Sequence, residues 1–286
     1  MSAAPAAPQV ESADSSGGPS GRRSGRRSGW RTGWRVAPSR CVTFCIVELQ
    51  KLRHDRSELL TRSIQPVLWL VIFGQTFSKI RAIPTGRVPY LDYMAPGIIA
   101  QSGMFVAIFY GIQIIWERDA GILAKLLVTP TPRVALVAGK SFAATVRALA
   151  QVVMVLVVAA LLGVAFTMNP LKLLGAGVAV ALGTVFFACL SMTIAGLVMT
   201  RDRLMGIGQA ITMPLFFASN ALYPIALMPA WLRGLARVNP LSYEVAALRG
   251  LLIGTPTNLA LDVTVLFASA VAGVLAASRL LGRLAR

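Results

Sequence analysis

The chain has 286 residues, 56% of them apolar and only 14% charged, with a mean hydropathy of +0.68. A soluble domain carries roughly 25% charged residues, so an ordinary water-exposed globule is excluded. Twenty-eight Lys and Arg against 11 Asp and Glu leave a net charge of +17, and one histidine with three scattered cysteines rules out a histidine metal centre or a disulfide framework.

Residues 1–39 are rich in Arg, Gly and Ser and have no apolar core, so they are expected to form a disordered cytoplasmic N-terminus. Their paired arginines lack the apolar run that would make a twin-arginine export signal. With Trp30 and Trp34 they suit anionic lipid headgroups better than nucleic acid. From 40 to 62 a partial apolar stripe (Phe44, Val47, Leu52, Leu59, Leu60) among mixed charges predicts an amphipathic helix lying on the inner membrane surface. Cys41 and Cys45, one turn apart in it, read as small apolar helix residues, as does Cys189 further on.

Charge-free windows then place six transmembrane helices at about 64–80, 93–115, 136–166, 173–200, 204–228 and 259–280, all in one domain over 63–286. The expected fold class is an all-α polytopic membrane protein. Of the 28 basic residues, 21 lie on the side that carries both termini, which makes the N- and C-termini cytoplasmic. The windows hold no proton relay or catalytic dyad. Their polar residues Gln101, Ser102, Gln209, Thr212, Ser219 and Asn220 can bond helix to helix or line a pathway for an amphiphile. Arg147 has two readings. It snorkels to the inner surface if its span starts at Ala148, and is buried and functional if the span starts near Leu136.

Between the second and third spans, Ile122, Leu123, Leu126 and Leu127 form one apolar face of a short helix that Pro130 and Pro132 end. Arg118 and Lys125 lie off that face. Such a knob suits a groove on a partner protein or a lipid surface equally well. Val134–Ser141 ends like a phosphate-binding loop, but it lacks the leading glycine and the preceding strand.

From Leu204 to Leu232 no residue is charged, which is longer than the roughly 20 residues a span needs. Pro214, Pro224 and Pro229 interrupt the excess. A short amphipathic piece follows, with Trp231, Leu232, Leu235 and Val238 opposite Arg233 and Arg237. Asn239-Pro240 stops it, and a second short helix covers Leu241–Leu252. These pieces predict extracellular re-entrant helices between the fifth and sixth spans, a lip with Gly250 and Gly254 at a turn. Glu244 is expected to face water, and Arg249 to face water or a transported molecule.

Pro224, Pro229, Trp231, Asn239, Pro240, Tyr243, Ala247 and Arg249 occur in an order that resembles the end of the ABC-2 type exporter permeases, above all the daunorubicin-resistance and nodulation-type permeases. The run Glu117-Arg118 to Thr129-Pro130, then Arg133 and Gly139-Lys140, is similar to that family's coupling region, with Asp119 where many relatives have Glu. The resemblance implies a transport subunit, not an enzyme, in a bacterial cell membrane. Glu117, Arg118, Asp119, Gly121, Leu123, Leu126, Thr129 and Pro130 would seat against an ABC ATPase subunit. ATP and Mg would be bound there, with no cofactor in this chain. A second copy or a related permease would complete the path. Drugs or other amphiphiles are the expected cargo, with polysaccharide or lipid as the alternative. Trp231, Tyr243 and Arg249 would hold the lip in shape. A lipid-modifying membrane enzyme would need clustered His, Asp or Glu near a membrane face, and only Glu117 and Asp119 qualify.

Overall fold

The computed structural model describes residues 56–80, 88–121, 133–198 and 200–284. The N-terminus (1–39), most of the expected 40–62 helix, and Leu123, Leu126, Thr129 and Pro130 lie outside them. The described residues form helices and turns without a strand. Helix α1 (Arg56–Leu68) continues through a π-helical stretch (Trp69–Gly74) into α2 (Gln75–Ile80). The helix runs unbroken across 62/63, where the interfacial helix was expected to give way to the first span, because neither Arg62 nor Ser63 breaks a helix. The irregularity comes after Pro66, which has no N–H to give the preceding turn. Trp69 and Phe73 stack across the widened turns with ring centroids 4.5 Å apart.

Helices α3 (Tyr90–Asp119), α4 (Arg133–Leu161), α5 (Pro170–Val198) and α9 (Leu259–Leu284) are long and apolar enough to cross a membrane. Helix α3 is the most enclosed. It runs parallel to α5, and small residues set the approach: Gly103 faces Thr184 and Val180, and Gly111 faces the backbone of Ser191. Ser191 Oγ also donates to the Ile108 carbonyl at 2.5 Å. Helices α3, α4, α8 (Pro240–Leu252) and α9 all pack on α5. The outward faces remain apolar: Val153, Leu161, Leu171, Leu174 and Phe267 are at least 60% exposed. Water would penalise such faces, and a bilayer does not. The third span is shorter than the expected 136–166, since α4 ends at Leu161 and Gly163 turns the chain in the left-handed region (φ 94°).

The fifth segment corrects the sequence reading most. Helix α6 (Arg201–Phe217) ends 11 residues before the expected limit at 228. Pro214 has no N–H for the helix's last turns, and at the helix end Ser219 Oγ donates to the Phe216 carbonyl at 2.7 Å. The chain then turns through 218–224, makes a 3-10 turn at Ile225–Leu227, and forms α7 (Ala230–Val238). Asn239 joins α7 to α8. Its Oδ1 accepts from the Leu241 N–H at 3.0 Å, and its Nδ2 donates to the Leu215 carbonyl at 2.6 Å. Pro240 then sits at the first helical position, where a missing N–H costs nothing.

Gly97 is the tightest point of this arrangement, since a Cβ there would lie 2.6 Å from the Ala221 carbonyl oxygen and 2.7 Å from its Cα. Gly97→Ala should destabilise the purified protein by about 1–3 kcal/mol, read as a lower Tm. Gly206→Ala, with nothing within 4 Å of the added methyl, should leave Tm unchanged or higher.

Candidate functional site

At the Tyr90 end of the bundle, Arg249 of α8 is only 6% exposed and is surrounded by backbone oxygens. Its Nε donates to the Tyr93 carbonyl at 3.2 Å and its Nη2 to the Asn220 carbonyl at 2.7 Å. The guanidinium lies over the Tyr93 ring, 3.7 Å from its centroid. Tyr90 and Tyr93 add hydroxyl bonds to the Leu222 and Asn220 carbonyls. The turn after α6 is thus held to α3 and α8 through carbonyls its own helix left free. Arg249 faces neither water nor an open path.

Glu244 also departs from the expectation of water: it is 1% exposed and packs against Gly183 of α5. Its carboxylate oxygens find no hydrogen-bond partner among the described residues, as is true of the Gln101 amide and the Thr184 hydroxyl. Helical spacing puts Glu244 on the same stripe as Leu241, Leu248 and Leu252, a signal the sequence already carried. Tyr243 Oη bonds the Arg237 carbonyl at 2.7 Å. Trp231, 73% exposed, lies on an open apolar face of α7 with Leu235 and Val238. Pro224 and Pro229 cap the 3-10 turn and α7.

The expected pathway residues are not brought together. Ser102, Thr212 and Ser219 each bond a carbonyl of their own helical turn, and Gln209 is exposed on α6. Gln101 is buried, and Asn220 belongs to the Arg249 knot.

The Asp119 end gathers the charged residues. Glu117 and Lys140 form a half-buried ion pair that clamps the end of α3 to α4. Asp119 accepts from Arg118 at 3.0 Å and from Arg201 at 2.9 Å, tying α3 to the start of α6. Arg201 also stacks over Trp116 at 5.2 Å. Gly121, with φ 70°, then turns the chain off the helix axis. These charges surround the base of the segment whose leucines lie outside the described residues.

Two cavities lie beside this cluster. The larger, of about 460 Å³, is walled by α1, α3, α4 and α6 and includes Arg62, Phe109, Tyr110, Trp116, Arg147 and Met205. The smaller, of about 180 Å³, shares Arg62 and Phe109 and reaches Ser102 and Gln151. Neither was foreseen. Phe105, Phe109 and Trp116 recur at helical spacing on α3, so the aromatic stripe was legible, but its partners on α1 and α4 were not.

Residues 41–253 match the model of the ABC-2 type transporter family. The chain belongs to that family. It is 29% identical over 202 residues to a putative transport permease of Cyanophora paradoxa, covering 70% of this chain and 69% of the relative. It is 26% identical over 212 residues to a probable doxorubicin resistance ABC transporter permease protein of Mycobacterium tuberculosis (73% and 75% covered). It is 29% identical over 203 residues to nodulation protein J of Rhizobium leguminosarum (70% and 76%). The match includes both the Asp119 cluster and the Arg249 knot. The chain is therefore a membrane-embedded ABC-2 permease.

Arg249→Ala in this permease should cost on the order of 3 kcal/mol, since two charge-assisted hydrogen bonds at roughly 1.5–3 kcal/mol each are lost and buried carbonyls are left bare. Arg249→Lys should recover little of the Tm in a detergent melt, because a single ammonium cannot reach both carbonyls while stacked on Tyr93.

Proposed function

We propose that this ABC-2 permease is the membrane-spanning half of an ATP-driven exporter of drugs or other amphiphilic compounds. The carrying observation is the charged cluster at the Asp119 end, where Glu117–Lys140 and Asp119–Arg201 bind α3 to α4 and α6. An ATPase subunit seated on the leucine knob of 122–127 would thereby push on three helices through one rigid base. The named relatives support the exporter reading, and one of them is named for doxorubicin resistance.

In this reading six spans cross the membrane. The α1–α2 rod is the first and α6 a short fifth, with both termini in the cytoplasm and α7 and α8 re-entrant from outside. Two permease copies, or this one with a related partner, enclose the path, and ATP with Mg is bound by the ATPase. Closure of the ATPase pair shifts the permease between inward- and outward-facing populations, which requires nucleotide to bind one state better. The span interiors contain few charges, which fits a bulky amphiphile better than an ion.

Co-purification tests this. The tagged permease, co-expressed with a candidate ABC ATPase subunit from the same genome, should retain that ATPase. Leu123→Asp should abolish retention and export. Glu117→Gln, by loosening the clamp to Lys140, should keep retention but reduce export several-fold. Wild-type protein that retains no ATPase, or an unimpaired Leu123→Asp variant, sinks the proposal.

A further inference from the structure

Helix α8 is seated lengthwise on α5. Leu251 packs against Gly175 and Glu244 against Gly183, so the two helices run antiparallel over a groove that these glycines open. Ala176 and Ala179, between them in sequence, are buried. A Cβ on Gly183 would overlap the Glu244 carboxyl itself. Gly183 lies near the middle of the 29 residues of α5, about 20 Å from either end at 1.5 Å per residue. The carboxyl therefore reaches the centre of the bundle, at 1% exposure and with neither oxygen hydrogen-bonded among the described residues.

Its surroundings supply no cation. Helix α8 packs on α3, α5 and α9. On α3 the run from Met94 to Phe109 holds no titratable group, and Tyr90, Asp92 and Tyr93 stand at the helix start. On α5 the nearest are Lys172, three turns away, and Cys189, whose thiol bonds Ser141. Asp262 of α9 is buried, and residues 263–278 after it are uncharged. Residues 204–224 are uncharged too, with the Tyr223 hydroxyl donating to the Phe217 carbonyl. On α8 itself Tyr243 bonds the Arg237 carbonyl, and Arg249 directs its N–H groups to the Tyr93, Asn220 and Ala221 carbonyls. An ionised carboxylate buried without counter-charge or donor costs more than taking up a proton, so the seated group is a neutral acid.

We infer that Glu244 is a proton-binding site that locks α8 onto α5. With the proton bound, the helix lies in the Gly175–Gly183 groove. Release of that proton to bulk water unseats the Pro240 end of α8, so that the carboxylate is hydrated. The other end stays pinned by Arg249 and by the bond from the Thr167 N–H to the Leu252 carbonyl. Asn239 supplies the break at which α7 and α8 change their angle. The unseated carboxyl ionises as an exposed Glu does, near about pH 4.3. Seating is therefore strongest below that pH and weakens as pH rises, until the seated acid itself ionises. The exporter reading enters only in taking this movement as part of opening the path.

The test reads the accessibility of α8 in full-length permease held in nanodiscs, without the ATPase. Val245, fully buried beside Glu244, is replaced by cysteine in a background of Cys41→Ser, Cys45→Ser and Cys189→Ala, and labelled with a charged methanethiosulfonate. The same protein carrying Glu244→Gln, which cannot ionise, serves as the reference and cancels the thiol's own pH dependence. Between about pH 5.5 and about pH 8.5 the labelling rate relative to that reference should rise at least about ten-fold. Asp262→Asn should leave this rise in place. In thermal melts of the unlabelled protein, Tm should fall over the same range with Glu244 and stay flat with Glu244→Gln, whose Tm is the higher at the alkaline end. A relative labelling rate that is flat or falls with pH overturns the lock, and a Tm that falls without any rise in labelling shows a buried acid that moves nothing. A rise abolished by Asp262→Asn, or a Gln variant that melts below wild type at the alkaline end, overturns the assignment to Glu244. ATPase retention in the co-purification is read independently, so failure of this site and failure of the exporter reading give different results.

Discussion

Arg249 is a buried guanidinium whose hydrogen bonds go to backbone carbonyls, and the Tyr90 end of the bundle depends on it. Helix α6 stops at Phe217, and the turn after it presents carbonyls that no helix satisfies. Left bare in an apolar setting, such groups cost a few kcal/mol each. One side chain meets the Tyr93 and Asn220 oxygens together, and the Tyr93 ring beneath keeps its plane fixed. Gly97 then lets Ala221 come down onto α3. The short helix, the turn and the α7–α8 hairpin therefore form one connected device.

Helix α3 links that device to the charged cluster at its other end. Its 30 residues extend about 45 Å at 1.5 Å per residue. Tyr90 and Tyr93 belong to the Arg249 knot, Phe109 and Tyr110 to the cavity wall, and Glu117 and Asp119 to the clamp on α4 and α6. Close packing on α5 through Gly103 and Gly111 leaves α3 little freedom to bend. Trp116, next to Glu117, has the Arg201 guanidinium over its ring and joins the clamp to the cavity wall.

Glu244 remains a separate matter. An acid on a helix that otherwise buries Leu241, Val245 and Leu248 sits against a glycine that yields the space. Gln101 on α3 and Thr184 on α5 are likewise buried without partners among the described residues. Polar groups in such a place cost stability and are seldom kept for packing alone.

The membrane class, the long apolar helices, the proline punctuation and the Asn239 break were all legible in the sequence, because composition and local backbone chemistry decide them. So was the family, since motifs are local. Where α6 ends was not legible. Hydropathy continues through 218–228, and the pairing of the turn's carbonyls with Arg249 and the tyrosines helps make a stop there favourable. The same holds for Arg147, whose two readings depended on where a span begins: α4 starts at Arg133, and the half-buried guanidinium lies over the Tyr110 ring. The placement of Arg249, Glu244 and the Arg62–Arg147 pair needs side chains from helices far apart in sequence. Periodicity describes the face of one helix, whereas which faces meet is decided by packing.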